Sequence, residues 1–346
     1  MSTGILILGG FWTNAVDFMV FAQLRRAQTE DLAVTFVVPV SGRALQSLVS
    51  IPGISHAEPT RAVAARLRFQ HRTYRTGLQG MLPNGSLRRL MDRDMNVVGL
   101  PVDALVLTDY LANILGAKPG DLLTVELLEG NRAVRQLPLA AVVSEYVGLN
   151  AYMRLDSLNH FLREGDVITG AFLSADMARE DGINQKLQKM PAVAGMAARM
   201  RVLRSFYDTL AEQLLTFAFF NTLLASTISI GVVYNTARIT LSERSRELAS
   251  LRVLGYTRGE VSYILLGELA LLVFFAVPIG FGIGYLLAGV LASQAQTELF
   301  RIPLVIERGT YAFAALVVLA ATAVSALIVR RQVDHLDLVE VLKARD

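Results

Sequence analysis

The chain has 346 residues, 53% of them hydrophobic, with a mean hydropathy of +0.44; that is too apolar for a wholly water-soluble protein and long enough for more than one domain. The net charge is only +3, lysine occurs only at 118, 186, 189 and 343, and no basic run is interleaved with aromatics, so a nucleic-acid partner is excluded. Cysteine is absent and the four histidines (His56, His71, His160, His335) lie at no ligand spacing to one another. Disulfides and thiolate metal sites are thereby excluded, and no metal ligands are assigned.

Residues 1–20 are apolar, interrupted by Asp17, with no basic leader and no cleavage site, so they are not read as a signal peptide. The run is short beside the ~20 apolar residues of a full span. It is read as a partial first transmembrane helix, the outer end of one whose beginning is missing, with an ordinary short N-terminal anchor as the alternative. Residues 21–208 then follow a soluble pattern. Leu32 to Val38 reads as a strand ended by Pro39, and Ser41 as the start of a short helix with Leu45, Leu48 and Val49 inward. Arg61 to Gln70 alternates, with Val63, Ala65, Leu67 and Phe69 on one side. His71-Arg72 reads as its turn and Thr73 to Gly80 as the return. Leu105 to Leu107 is a strand, followed by a helix from Thr108 that Gly116 ends. Lys118-Pro119-Gly120-Asp121 spells a type II turn. Leu122 to Leu128 and Ala133 to Ser144 run out and back. A helix from Asp156, a strand at 167–173, a helix from Asp176 and a strand at 193–202 complete an α+β domain, read as two subdomains. Its arginines at 61, 66, 68, 72, 75, 88, 89 and 93 allow two readings: a face for anionic headgroups or an acidic partner, or a solvated strand surface.

From 209 the chain turns membrane-like. Spans are read at about 214–236, 263–292 and 310–329. In the second, Gly280, Gly284 and Ala288 form a stripe of small residues for close helix contact, and Pro278 just before it predicts a kink. Glu268 lies in the same run, where an ionisable residue is either functional or interfacial. Five arginines fall in the polar segment 238–260, and Arg330, Arg331, Lys343 and Arg345 in the tail, against Arg301 and Arg308 between the last two spans. The positive-inside bias puts the segment and the tail in the cytoplasm and residues 21–208 outside.

That segment, Arg238 to Glu260, is an unusual connector. Leu241, Leu248 and Leu251 share one helical face, Gly255 ends the helix, and Thr257 with Glu260 forms a capping box for the next one. A short amphipathic helix between two spans is suited to docking another protein.

The stretch SERSRELASLRVLGYTRGEV, running into LLGELALLVFFAVPIGFGIGYLLAG, resembles the FtsX/MacB-type permease domain of ABC transporters. The tail is similar to that family's ending at Asp337, Glu340 and Leu342, with Leu338 where the family has proline. The resemblance covers about 210–346. Gly120-Asp121 and the stretch around it are similar to a turn of the MacB-like extracytoplasmic core, and TEDLAVTFVVP resembles the second half of long, duplicated members, which implies that this chain is the C-terminal half of one. The fold implied is an α-helical membrane domain, a four-helix FtsX-like unit with its first helix truncated and an α+β extracytoplasmic domain inserted. The family implies a non-catalytic, multi-pass subunit of the bacterial cytoplasmic membrane. It would sit on a cytoplasmic ABC ATPase dimer, beside a second permease half or copy, and relay ATP-driven motion outward for export, lipoprotein or lipid extraction, or mechanotransmission. A periplasmic accessory protein or a lipid or lipoprotein substrate is a further partner. The coupling helix that docks on the ATPase would then comprise Glu243, Arg244, Arg246, Glu247, Leu248, Leu251, Arg252 and Gly255. No lysine here follows a glycine, so no phosphate-binding Gly-Lys loop exists, and ATP with its magnesium is expected on the partner rather than on this chain. No catalytic constellation stands out. The rival reading is a membrane-anchored sensor or ligand-binding protein with no ATPase partner.

Overall fold

The computed structural model describes residues 2–243, 247, 250, 254–297 and 301–334. The chain divides into two compact units: Met1–Asp17, Leu210–Ala295 and Pro303–Asp346 in one, Phe18–Thr209 and Gln296–Ile302 in the other.

The first unit is helical. Among the described residues, four stretches are long and apolar enough to cross a membrane: Ser2–Ala27, Leu215–Thr240, Leu266–Gln294 and Arg308–Ile328. Helix suits them because each segment can satisfy its own backbone polar groups without water. The first stretch is helix α1 (Ser2–Val20), continued as a π-helical turn over Phe21–Ala27. The expected boundary at residue 20 is therefore the end of regular α-helix, and helical backbone runs seven residues further. Within this unit α1 is the most enclosed helix, with Ile7 and Phe11 fully buried. Its Leu6 and Ile7 share a core with Ala225, Ala314 and Val318. Asn14 donates to Thr310 Oγ1 at 2.6 Å, which satisfies an amide inside an apolar bundle.

The second unit begins with β1 (Leu32–Ser41), α2 (Ala44–Val49), β2 (Ile54–Phe69), β3 (Arg72–Met81) and the small pair β4 (Leu90–Met91) and β5 (Val97–Val98). It continues with β6 (Leu105–Thr108), α3 (Asp109–Leu115), β7 (Leu122–Leu127), β8 (Val134–Val143), β9 (Asn150–Arg154) and α4 (Leu155–Leu162). It closes with β10 (Val167–Ala175), α5 (Glu180–Gln188) and β11 (Val193–Ala198), after which the long helix α6 (Arg199–Glu243) starts.

The strands pair in the order β11-β1-β10-β2-β3-β9-β6-β8-β7, and β7 pairs again with β2. Six of them, β2-β3-β9-β6-β8-β7, therefore close into a ring. The ring holds a core of Val63, Ala65, Leu67, Leu78, Leu105, Leu107 and Val125, against which α3 and α4 add Leu111 and Leu158. The remaining strands, β11, β1 and β10, join the first half of β2, whose residues 54–60 pair with β10. With α2 and α5 they enclose a second core of Leu32, Val34, Leu48, Ile168, Leu173 and Ile183. The two subdomains read from the sequence are thus two cores that share one strand.

Local differences have local causes. β1 runs through Pro39 because its pairing with β10 breaks between Thr35 and Val40, where a missing N–H is harmless. The β2–β3 turn is Gln70-His71, one residue earlier than expected, since Phe69 faces Arg72 and Gln70 takes a φ of 53°. Val49 is exposed rather than inward. Gly120, with φ 101° and Asp121 N donating to Lys118 O at 3.0 Å, forms the expected type II turn. The sequence reading missed β9 and ran the last strand to 202; it ends at Ala198, where α6 begins.

Candidate functional site

The segment after α6 is described in part. Glu243 is the last residue of α6, and Glu247 is helical; both are exposed. Ser250 Oγ donates to Glu247 O at 3.1 Å, and Leu254 N donates to Ser250 O at 3.0 Å, so helical bonding reaches the end of the segment. Gly255 follows with φ 101°, a conformation that a side chain would strain. It closes the segment as the sequence predicts. Arg244, Arg246, Leu248, Leu251 and Arg252 lie outside the described residues, as do Asp337, Glu340 and Leu342 of the tail. Leu241 is described only as helical backbone.

Helix α7 (Arg258–Gln294) starts on the expected capping box. Thr257 Oγ1 accepts from Glu260 N at 3.4 Å, and Glu260 Oε2 accepts from Thr257 N at 2.7 Å and from the Thr257 hydroxyl at 2.8 Å. Those bonds, the backbone one first, hold the Glu260 carboxyl below its ordinary range. The box fixes where the chain turns from connector to span. Sequence reasoning passed over two neighbours of Gly255: Leu254 is 76% exposed and Tyr256 46%. An aliphatic and an aromatic side chain, bared beside a turn, are the kind of anchor that fills a partner's pocket. Their signal was present in the run Val-Leu-Gly-Tyr-Thr, where apolar residues flank the glycine that ends a helix.

The residues singled out for helix packing all lie among the described residues. Gly280, Gly284 and Ala288 are all buried on one side of α7, and Ala292 extends the stripe by another turn. A Cβ on Gly280 would lie 2.6 Å from the Thr3 Cβ, and one on Gly284 would lie 2.9 Å from the Ile7 Cβ. The partner of the stripe is therefore α1, and glycine is what lets the two backbones approach. Pro278 lies on the exposed side of α7, which is one helix from Arg258 to Gln294. Glu268 is half-buried, one residue before Leu269, which packs with Ala237, Tyr234 and Leu266.

Most of the basic sector in the sheet unit is engaged internally. Arg61 pairs with Glu164 at 3.1 Å, Arg66 with Glu126 at 2.7 Å, Arg88 with Glu30 at 3.0 Å and Arg93 with Asp109 at 3.7 Å. Arg72 donates to the carbonyls of Asn113 and Ile114. Arg68, Arg75 and Arg89 are exposed. This favours the solvated-strand reading of the sector over an anion-binding face.

Residues 219–337 match the model of the FtsX-like permease C-terminal domain. The C-terminal region is an FtsX-like permease domain. The match begins within α6, crosses the 244–257 connector and α7, and ends beyond helix α8 (Arg308–Asp334). It therefore contains every residue assigned above to docking and to helix packing. No curated protein sequence matches the chain. Among solved structures, the chain is similar to the periplasmic region of MacB from Actinobacillus actinomycetemcomitans, at 13% identity over 53% of this chain and 95% of that one, with a TM-score of 0.38. It is also similar to the extracellular domain of the noncanonic ABC-type transporter YknZ from Gram-positive bacteria, at 11% identity over 47% of this chain and 98% of that one, with a TM-score of 0.35.

Proposed function

We propose that this chain is the membrane subunit of an ABC transporter and relays ATP-driven motion from a separate cytoplasmic ATPase to the sheet unit outside. The observation that carries the proposal is the FtsX-like permease match over residues 219–337, which brackets a connector ending in an exposed Leu254-Gly255-Tyr256 turn. In such an arrangement the ATPase binds the connector, with Glu243 and Glu247 and the arginines of 244–252 as charged contacts and Leu254 and Tyr256 as apolar anchors. ATP and its magnesium bind on the partner. The membrane part acts as a pair, with a second copy or a second permease half. The output is mechanical work on a compound, lipid or lipoprotein on the outer side of the bacterial cytoplasmic membrane.

The test is co-expression with the candidate ATPase subunit. The wild-type chain should co-purify with it and stimulate its ATP hydrolysis. Replacing Leu254 by Asp, or Glu247 and Arg252 together by residues of opposite charge, should reduce both by about tenfold or more, the loss expected when an interface anchor is removed. Unchanged binding and stimulation in these variants would rule out the connector as the docking site. Recovery of the chain as a lone, stable oligomer in every preparation would favour the sensor reading.

A further inference from the structure

The loop between β8 and β9, residues 144–149, receives three separate parts of the sheet unit. Phe18, near the end of α1, sets its ring edge-on to Tyr146, with centroids 5.8 Å apart at 83°. Gln23, in the π-helical turn, is buried and accepts from Tyr146 N at 3.3 Å. The third part lies in the connection between α7 and α8. Its Arg301 N donates to Tyr146 O at 3.0 Å, and its Nη2 donates to Gly148 O at 2.8 Å. Its Nη1 donates to the Asp109 carboxylate at the start of α3, and the guanidinium carbon stands 5.6 Å from the Tyr110 ring centroid.

Arg301 is only 7% exposed, and burial lowers its pKa to about 10, so it stays charged at neutral pH. A buried charge is expensive unless its bonds are made. Arg308, the other basic residue between the last two spans, is exposed. A residue that served only topology or solubility would be placed as Arg308 is. The planar guanidinium instead reaches a carboxylate and a carbonyl from two different elements in fixed directions, which a lysine cannot reproduce. The loop is braced from within as well. Glu145, half-buried, accepts from the Tyr152 hydroxyl at 2.6 Å and from Asn150 Nδ2 at 3.1 Å, both on β9.

We propose that Arg301 is a positioning residue of the relay: it pins the stretch between α7 and α8 to the 144–149 loop, the same loop on which the end of α1 rests. Displacement of either helix end is then delivered to one joint, braced on β9 and α3, rather than dissipated in a free connection. This proposal rests on the relay function above.

The experiment uses the full chain with its ATPase subunit in nanodiscs, followed by hydrogen exchange at residues 144–149. In the wild type, exchange there should differ between nucleotide-free and vanadate-trapped states. Arg301→Ala should leave co-purification and basal hydrolysis unchanged and abolish that difference. Arg301→Lys should restore it only in part, and the swap Asp109→Arg with Arg301→Asp should restore more of it than either single change. Protection of the β2 core should persist in all variants, which separates a lost pin from a failed fold. A nucleotide-dependent difference that survives Arg301→Ala overturns the proposal. The pin is also read without nucleotide: exchange at 144–149 should rise about tenfold in Arg301→Ala, as expected on losing charged hydrogen bonds. If that rise occurs and no ATPase co-purifies, the relay reading fails and the pin stands as structure alone. If the rise is absent, the pin itself is wrong.

Discussion

Glu145 illustrates what a single side chain adds here. Burial is the largest influence on its carboxyl and lifts it above its ordinary 4.5, against the opposing pull of its bonds from Tyr152 and Asn150 and of the Arg88 and Gln23 side chains nearby. Between the ordinary value and the raised one, the folded chain holds a proton that the unfolded chain has already released. The stabilisation from this group is complete below about 4.5 and is lost as pH rises through the folded value. Glu145→Gln removes that slope: from about pH 5 to pH 8 its melting temperature should gain on the wild type as pH rises. Parallel melting curves in one detergent would check it, and identical pH profiles would contradict it. Neither Glu145 nor Arg301 could be singled out in the sequence. They stand in the ordinary runs Ser-Glu-Tyr-Val-Gly and Glu-Leu-Phe-Arg-Ile-Pro: Glu145 is set by Asn150 and Tyr152 on the next strand, and Arg301 by Asp109, Tyr146 and Gly148, all over a hundred positions away. The Gln70-His71 turn was misplaced for a related reason: it contains no Gly, Asn or Asp to mark a positive φ.

Among the elements, those with local chemistry were legible. The Thr257–Glu260 box, the Gly116 and Gly255 stops and the Gly280–Gly284–Ala288 stripe all stand where the sequence put them. What the stripe packs against was not legible, because α1 lies more than two hundred and fifty residues earlier in the chain. The contact makes a sharp prediction. Gly280→Val should push α1 away from α7 and destabilise the chain by about 1–3 kcal/mol, the usual penalty for overpacking. Gly282→Ala, with nothing within 4 Å of the added carbon, should be neutral or mildly stabilising. Thermal melts of both variants in detergent decide it, and equal effects would mean that α1 is not the partner. β9 was overlooked because five residues with three buried in succession look the same as any short apolar run. The start of α6 was overlooked because residues 199–213 are mixed in polarity and precede the apolar window that marks a span.

For the molecule as a whole, hydropathy revealed the membrane helices, and the alternation of strands and helices revealed a sheet domain. Strand order was out of reach, since the ring closes only through pairings distant in sequence, such as Ala65 with Leu127. Two elements pass from one unit to the other without a break: α1 with its π-helical turn, and α6, which begins in the sheet unit at Arg199 and ends in the helical unit at Glu243. If the chain relays motion, the stiffness of α6 matters. Inserting Gly-Gly after Thr209 should leave ATPase binding intact and reduce stimulated hydrolysis or transport by about tenfold or more, because two glycines weaken the helix there. Stimulation and transport assays on the insertion variant, compared with an Ala-Ala insertion of equal length, would show whether stiffness or length is what counts.

The sixteen residues of β2 face two interiors in succession, one around Ile54 and one around Leu67. Side chains alternate along a strand, so adding or deleting a single residue near its middle would reverse one half relative to the other. Leu67 and Ala65 would then point into water if the first half kept its register, and Ile54 would if the second half did. No local repair restores both. The strand is a ruler shared by two interiors, and its length is the dimension of this domain least free to drift.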